Sequence, residues 1–391
     1  MIRILCAGIL ALAVSACPMR GIWAQVNTGP DSDPDPAMNH ADRVSWSLFA
    51  EVTAPAGSPG NHDVRFETWA SDNDTFTEPP RWPGSTPSEK KLHREVLTTP
   101  ASPVPVSGQV AAAGVQNGNG EEVRRNEPAF RFIVDNQLYN EAGLAKAFAA
   151  GQPIDFPVDA IEVKADWVLA EGSGRDESLY YSNTASDHKK YLLVSLHLIS
   201  KQVPDWTWAT FEHADNPGRC DILGCRDGFG AKQARVPPLK GKPGQRYATC
   251  EKTPEVLAIF RKYKVADVFR NYCLKGSQTG FVNPTGLPTR LGNSVTEKGF
   301  VNTASCMTCH SRAGFDKNGR NVFGTGLIKA ALNPVSCPTG DQCSPNGPPR
   351  PQWFWSNPDT KLQARKLLQS DFDWSIPTCV IPKGKTTGPC S

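Results

Sequence analysis

Apolar and polar positions alternate most cleanly over residues 161–167, where Ile161, Val163, Ala165 and Trp167 fall on one side of a period of two. That period predicts a half-buried strand of an antiparallel sheet. Residues 191–200 and 206–213 read as two further strands, and Val203-Pro204-Asp205 supplies the turn between them. With 202–205 as the loop, Lys201 lies opposite Trp206 and Val194 opposite His213. His213 then shares a face with Phe211, Leu196 and Leu198, while His197 shares the other with Trp208, Thr210 and Glu212.

A helical period appears elsewhere. Trp46, Phe49 and Val52 space like one face of a short helix in sequence that becomes ordered near Ala41. Residues 141–150 carry Leu144 and Phe148 on one face, with Gly151 as the stop. Thr253-Pro254-Glu255 opens another helix, threonine as N-cap and proline at the first position, bearing Val256, Ile259, Phe260 and Tyr263. Strand-like alternation runs through 63–69. Asp72-Asn73-Asp74 lacks the glycine and terminal glutamate of an EF-hand loop and reads as a capped turn. Residues 78–123, rich in Pro, Ser, Gly and Ala, read as a surface excursion with one short helix near 88–97. Residues 275–293 and 332–350 read as loops, and Asp359 as the cap of a short helix through Leu367 and Leu368. No βαβ rhythm is visible. The expected class is α+β: a central, mostly antiparallel sheet with peripheral helices, long Pro/Gly-rich loops and a C-terminal helical segment.

The N-terminus adds a destination. Arg3 and the apolar stretch over 4–16 have the form of a secretory signal, too short to span a bilayer. Cleavage after Ala24 suits an ordinary signal peptidase, whereas Val14-Ser15-Ala16-Cys17 resembles a lipoprotein box that would leave Cys17 lipidated. No later stretch reaches the ~18 apolar residues of a membrane helix. The expected organisation is a signal over 1–24, a flexible tether over 25–41, an α+β body over 42–290 and a segment over 291–391 packed on that body. The expected location is periplasmic or otherwise exported, soluble or anchored by a lipid at Cys17. Removing Arg3 and Arg20 with the signal takes the formal charge from +3 to +1, which argues against non-specific nucleic-acid binding.

The candidate chemistry is concentrated in Cys306-Met307-Thr308-Cys309-His310. Two thiols spaced C-x-x-C reach one side of a helical turn, and the next residue can offer an imidazole to a metal; this is the spacing that attaches a c-type haem. A dithiol redox pair would want a thioredoxin-like βαβ setting, and structural zinc a second C-x-x-C or H-x₃₋₅-H. Ser294-Val295-Thr296-Glu297 has the form of a capping box opening a helix toward the motif, with Phe300 on its way.

These residues resemble the haem-binding segment of c-type cytochromes, over about 20 residues of 391. The chain as a whole is similar to large bacterial monohaem proteins of the cytochrome c family. The resemblance implies one covalent haem c on Cys306 and Cys309, with His310 as proximal iron ligand. It also implies electron transfer with a redox partner protein that the residues do not identify. Small monohaem cytochromes usually supply a methionine after the motif as sixth ligand; here the methionines are Met1, Met19, Met38 and Met307. A distal protein ligand must therefore come from upstream or be of another type. His213 is the candidate, at a strand end beside an apolar surface. For His213 and for His197 alike, the alternative is a structural histidine bonded to a carbonyl or carboxylate. An open distal position would instead fit a haem enzyme or small-ligand sensor, with no catalytic residue singled out. Arg312 and Lys317 read as solvated charges, and the aromatics of Asp371-Phe372-Asp373-Trp374 as core closure or haem cover. A disulfide-stapled, haem-dependent structural protein is the third alternative.

Setting aside Cys6, Cys17, Cys306 and Cys309, eight of the twelve cysteines remain. An even remainder in an exported chain predicts disulfides. Nearest-neighbour pairing gives 220–225, 250–273, 337–343 and 379–390, though spacing alone leaves the connectivity open.

Overall fold

The structure is a computed structural model and describes residues 33, 35–57, 62–84, 90, 92, 119–241, 243–298, 301–320, 347–356 and 364–390. One seven-stranded antiparallel sheet organises them. Its strands are β1 (Ala70–Ser71), β2 (Asn119–Arg125), β3 (Ile161–Leu169), β4 (Ser182–Thr184), β5 (Lys190–Ser200) and β6 (Thr207–His213), completed by Tyr272–Gln278. After the small hairpin of β7 (Cys225–Arg226) and β8 (Arg235–Val236), that last strand is β9. The order is β1-β2-β3-β5-β6-β9, with β4 beside the start of β5. The class is thus α+β, with helices around a central antiparallel sheet.

The β5–β6 hairpin has the register that turn and alternation predict: Leu196 pairs with Phe211, His197 with Thr210 and Ser200 with Thr207. The two faces of the sheet are covered differently. On one, α2 (Ala41–Val52) and α6 (Pro254–Tyr263) bring Trp46, Phe49 and Phe260 onto Phe211, with ring centroids 4.4–6.0 Å apart. Thr253 caps α6, its hydroxyl accepting the Val256 N–H at 3.4 Å. The other face carries Trp208, against which Cys306, Met307, Phe315, Phe372 and Leu291 pack. At its margin lie α4 (Glu127–Asp135) and α5 (Glu141–Ala150); Asn140 caps α5 and Gly151 ends it at φ 70°.

Several expectations are corrected. The tether over 25–41 gives way at Pro36 to a short helix, α1 (Pro36–Asn39), whose cap Asp35 accepts the Met38 N–H. Residues 63–69 are not a strand: Arg65–Thr68 is a 3₁₀ turn, closed because the Glu67 carboxylate takes the Val64 N–H at 3.0 Å. Asp72–Thr75 is a capped turn of helix, α3, with Ser71 at its cap. The excursion over 78–123 ends early, at Asn119, where β2 begins; its buried Glu122 binds Lys90 and Arg124 and its Arg125 binds Asp72 and Glu162. The loop over 275–293 begins later, since β9 runs to Gln278. Residues 294–298 form turns rather than a helix. In place of a helix through Leu367 and Leu368, the chain forms α8 (Pro351–Phe354), β11 (Trp355–Ser356) paired with β12 (Ala364–Arg365), and β13 (Leu368–Gln369). β13 pairs with β10 (Gly314–Phe315). The signal over 1–24, most of the helix near 88–97, the cap at Asp359, Phe300 and Cys337 with Cys343 lie outside the described residues.

Three of the four cysteine pairs expected from proximity are disulfides: Cys220–Cys225, Cys250–Cys273 and Cys379–Cys390. Cys220–Cys225 and Cys379–Cys390 close short irregular stretches and Cys250–Cys273 spans α6; links of this kind contribute roughly 2–4 kcal/mol each. No helix among the described residues is long and apolar enough to cross a membrane.

Candidate functional site

The motif forms a five-residue helix, α7 (Cys306–His310), capped by Ser305, whose hydroxyl accepts the Thr308 N–H. Sheet and motif meet through that cap, because Gln278 at the end of β9 donates to the Ser305 hydroxyl at 3.2 Å. Leu291 bridges Ser305 in parallel. A Cβ on Gly292 would lie 2.6 Å from the Ala304 Cβ, so only glycine lets the two segments run this close.

Cys306 and Cys309 are free thiols, while every other cysteine among the described residues is in a disulfide. Burial pushes both thiols up, Cys306 well above its ordinary value, and the Glu297 carboxylate adds to the same effect. Such thiols stay protonated at neutral pH, unlike the low-pKa thiolate of a dithiol oxidoreductase.

A hydrogen bond to a backbone carbonyl holds the His310 ring. Its Nδ1 donates to the Phe372 carbonyl at 2.8 Å, and its ring lies 4.6 Å from that of Trp208. Burial pushes its pKa down to about 3, so the ring is neutral. With the proton on Nδ1, Nε2 carries the lone pair; it makes no hydrogen bond among the described residues. A backbone carbonyl fixing tautomer and ring angle from the far nitrogen is how metal-binding histidines are commonly aimed. Phe372 also walls a cleft of about 210 Å³ with Ile154, Phe354 and Leu368.

Behind the motif, the same sheet face holds a buried polar cluster. Asn293 organises it: its side-chain oxygen accepts the N–H groups of Val295 and Thr296, and its amide nitrogen donates to His197 Nε2 at 2.8 Å and to Thr210 at 3.0 Å. Glu297 folds back to accept the Asn293 N–H, and Ser294 gives its hydroxyl to Glu212. The residues of the expected capping box are thus present but bonded to other partners. The Thr296 hydroxyl lies 2.8 Å from Asp166 Oδ2 and 2.9 Å from His197 Nε2. Burial, as the largest cause, pushes Glu297 up to about 7, raises Asp166 and lowers His197 to about 4. Lys275 is buried in the cluster and pairs with Glu212 at 3.6 Å.

His213 does not join this site. It lies on the opposite face of the sheet, stacked on Tyr180 at 3.6 Å and against Tyr272. Its Nε2 donates to the Leu179 carbonyl at 2.9 Å and its Nδ1 accepts the Asp215 N–H at 3.2 Å, so both nitrogens are engaged. Of the two strand histidines it is His197 that shares the motif's face, and hydrophobic alternation alone cannot say which face receives α7. His40, His62 and His188 are exposed, and His93 lies outside the described residues. Arg312, expected to be solvated, is buried over the Trp353 ring at 3.9 Å, whereas Lys317 is exposed. Asn293 does not stand out in the sequence, and Glu297 does so only as the last residue of the expected capping box.

No protein-family model, curated protein or solved structure matches the chain.

Proposed function

We propose that the chain is an exported monohaem protein of c-type cytochrome character, with one haem c joined to Cys306 and Cys309 and His310 as its proximal ligand. The observation that carries this reading is the bond from His310 Nδ1 to the Phe372 carbonyl, which leaves Nε2 as the lone-pair nitrogen one residue beyond two reduced thiols. The residues present fit the group: unoxidised thiols spaced along one turn, a neutral aimed imidazole, and aromatic walls at Trp208 and Phe372. Zinc fits less well, because the one group of three metal-ligating side chains among the described residues is Asp72 with Cys379 and Cys390, and that cysteine pair is a disulfide. A bound haem would supply one-electron redox chemistry. The protein's part is to hold the group, aim His310 and exclude water from its apolar walls.

Electron transfer in an exported compartment, with a partner protein of unassigned identity and either a soluble or a Cys17-anchored form, is the first reading. The second is a haem enzyme or small-ligand sensor. What favours it is that His213 faces away from the motif and no methionine follows His310, which leaves the distal position without an assigned protein ligand among the described residues. The test is the absorption spectrum of protein made with haem-maturation machinery, oxidised and reduced, with and without carbon monoxide. A low-spin spectrum that carbon monoxide leaves unchanged supports the electron carrier. A high-spin spectrum that shifts supports the enzyme or sensor. Pigment that fails to attach covalently, or that still attaches in the Cys306→Ala, Cys309→Ala double variant, sinks the proposal.

A further inference from the structure

We propose that Asp371 and Lys201 are positioning residues for His310: their buried ion pair holds the turn over residues 370–373 in the conformation that presents the Phe372 carbonyl to the imidazole. What that alignment does at an iron rests on the haem reading above; the alignment itself rests on contacts within the chain.

The turn is an unfavourable one. Asp371 and Phe372 stand at φ 51° and 71°, the only two consecutive left-handed positions among the described residues. The Asp373 N–H donates back to the Ser370 carbonyl at 3.1 Å. Two positive φ angles inside such a bond are the pattern of a type I′ turn, which glycine and asparagine favour. Aspartate tolerates the left-handed region, whereas the Cβ of phenylalanine crowds the backbone there. The Phe372 C=O and the Asp373 N–H belong to one planar peptide and point to opposite sides. With that N–H closing the turn, the carbonyl faces outward, where it accepts the His310 Nδ1–H at 2.8 Å. Relaxation of the two residues to negative φ would swing the carbonyl away.

The Asp371 side chain holds the middle of the turn against that relaxation. Its Oδ1 lies 2.7 Å from Lys201 Nζ, and its Oδ2 accepts the Phe156 N–H at 2.8 Å. Lys201 directly follows β5 and is 5% exposed; its ammonium also donates to the Pro204 carbonyl at 2.8 Å and lies 3.0 Å from Asp155. Both carboxylate oxygens are thus committed to groups outside the turn, in a setting dry enough to strengthen a charge-assisted bond. The ends of the turn are fixed separately. The Ser370 N–H donates to the Ala313 carbonyl at 3.0 Å, and Asp373 Oδ1 accepts the Ser375 N–H at 2.6 Å.

The β5–β6 hairpin therefore grips His310 twice. Trp208 of β6 lies against the ring at 4.6 Å, and Lys201 acts at Nδ1 through Asp371 and the Phe372 carbonyl. A firm bond from Nδ1 makes Nε2 a stronger donor, which on the haem reading favours oxidised iron and lowers the potential.

The test sets Asp371→Ala beside Asp371→Gly. Both lose the ion pair, and in both Lys201 keeps Pro204 and Asp155. They differ in the backbone, since glycine enters the left-handed region freely and alanine does not. In the haem-free full chain, nitrogen-15 spectra of labelled histidine should show an exchange-protected Nδ1 proton on His310 in native protein and in Asp371→Gly, and its loss in Asp371→Ala. In the haem-loaded full chain, Asp371→Ala should raise the midpoint potential by about 59 mV, a tenfold change in the one-electron equilibrium, and Asp371→Gly should restore the native value. If Asp371→Ala does not fold, Lys201→Met replaces it: alone it leaves Asp371 without its cation and should disturb His310, and with Asp371→Gly added it should not. A native His310 signal in Asp371→Ala, or equal disturbance in the alanine and glycine variants, overturns the proposal. Failure of the haem reading looks different: no haem attaches, and the nitrogen spectra still decide the alignment.

Discussion

The two faces of the central sheet are built on opposite plans. The face under α2 and α6 is a packed aromatic core in which Trp46, Phe49 and Phe211 are fully buried. The motif face buries Asp166, Glu212, Asn293, Thr296 and Lys275 at 8% exposure or less, beside two free thiols. Area removed from water explains the first face, at roughly 25 cal/mol per Å² of apolar surface. It cannot explain the second, where each buried charge costs free energy unless partnered. The first face also buries charge, with Lys90 bound to Glu67 and Glu122 and Asp227 taking the Trp46 indole N–H, but its centre is aromatic, whereas the second sets its charged groups beside the motif.

That contrast can be broken most directly on the apolar face. Phe49→Ala should cost about 3–5 kcal/mol, read from urea unfolding, because its ring sits among five other aromatics and the cavity cannot collapse fully. Any haem taken up by the folded fraction should keep its native spectrum. If the spectrum changes as much as the stability, the division between the faces is wrong.

The motif face should show its cost as pH dependence. Glu297 titrates in the folded chain near 7 against an ordinary 4.5, so its contribution to stability is full below about 4.5 and is lost as pH rises through about 7. Glu297→Gln should therefore be more stable than the native protein at pH 8, by about 3 kcal/mol in order of magnitude, with the difference vanishing near pH 4.5. Equal denaturant midpoints at pH 8 would mean the carboxylate is better solvated than its burial implies.

His213 has the opposite sign. Its folded pKa is lowered to about 4 against 6.5, so its stabilisation is full above 6.5 and lost as pH falls toward 4. His213→Asn should flatten that acid limb, measured by thermal unfolding across the window, and should leave the visible spectrum of a bound haem unaltered. A changed spectrum would return His213 to the iron. The smallest effect belongs to a surface device: Asn140→Ala removes the cap that accepts the Gly143 N–H and should cost about 1 kcal/mol.

Much of this architecture is legible in the residues where local rules and final partners agree. The β5–β6 register follows from alternation plus a short turn, and α5 and α6 begin and end at their own caps. The three described disulfides join neighbouring cysteines, and the C-x-x-C-H spacing announces itself. Legibility fails where partners are remote. β2 carries Glu122, Arg124 and Arg125 inward because Lys90, Asp72 and Glu162 await them, and nothing within Asn119–Arg125 says so. Ser294 and Glu297 have the spacing of a helix cap, but Ser294 binds a glutamate 82 residues away. The candidate site is legible as a motif and illegible as a surrounding, since what aims His310 and what lies behind the thiols are set by tertiary contacts.

The carbonyl that orients His310 belongs to Phe372, 62 residues further along. During synthesis both thiols emerge before the residue that aims the imidazole. The segment that follows Phe372, with α9 (Ser375–Cys379) and the Cys379–Cys390 link, comes later still. On the haem reading, attachment and alignment are thus separated in time. The chain could then be joined to its cofactor while the His310 ring is still slack, the ring angle being fixed only as the final segment seats itself. Maturation would then be completed by folding rather than by the chemistry of attachment.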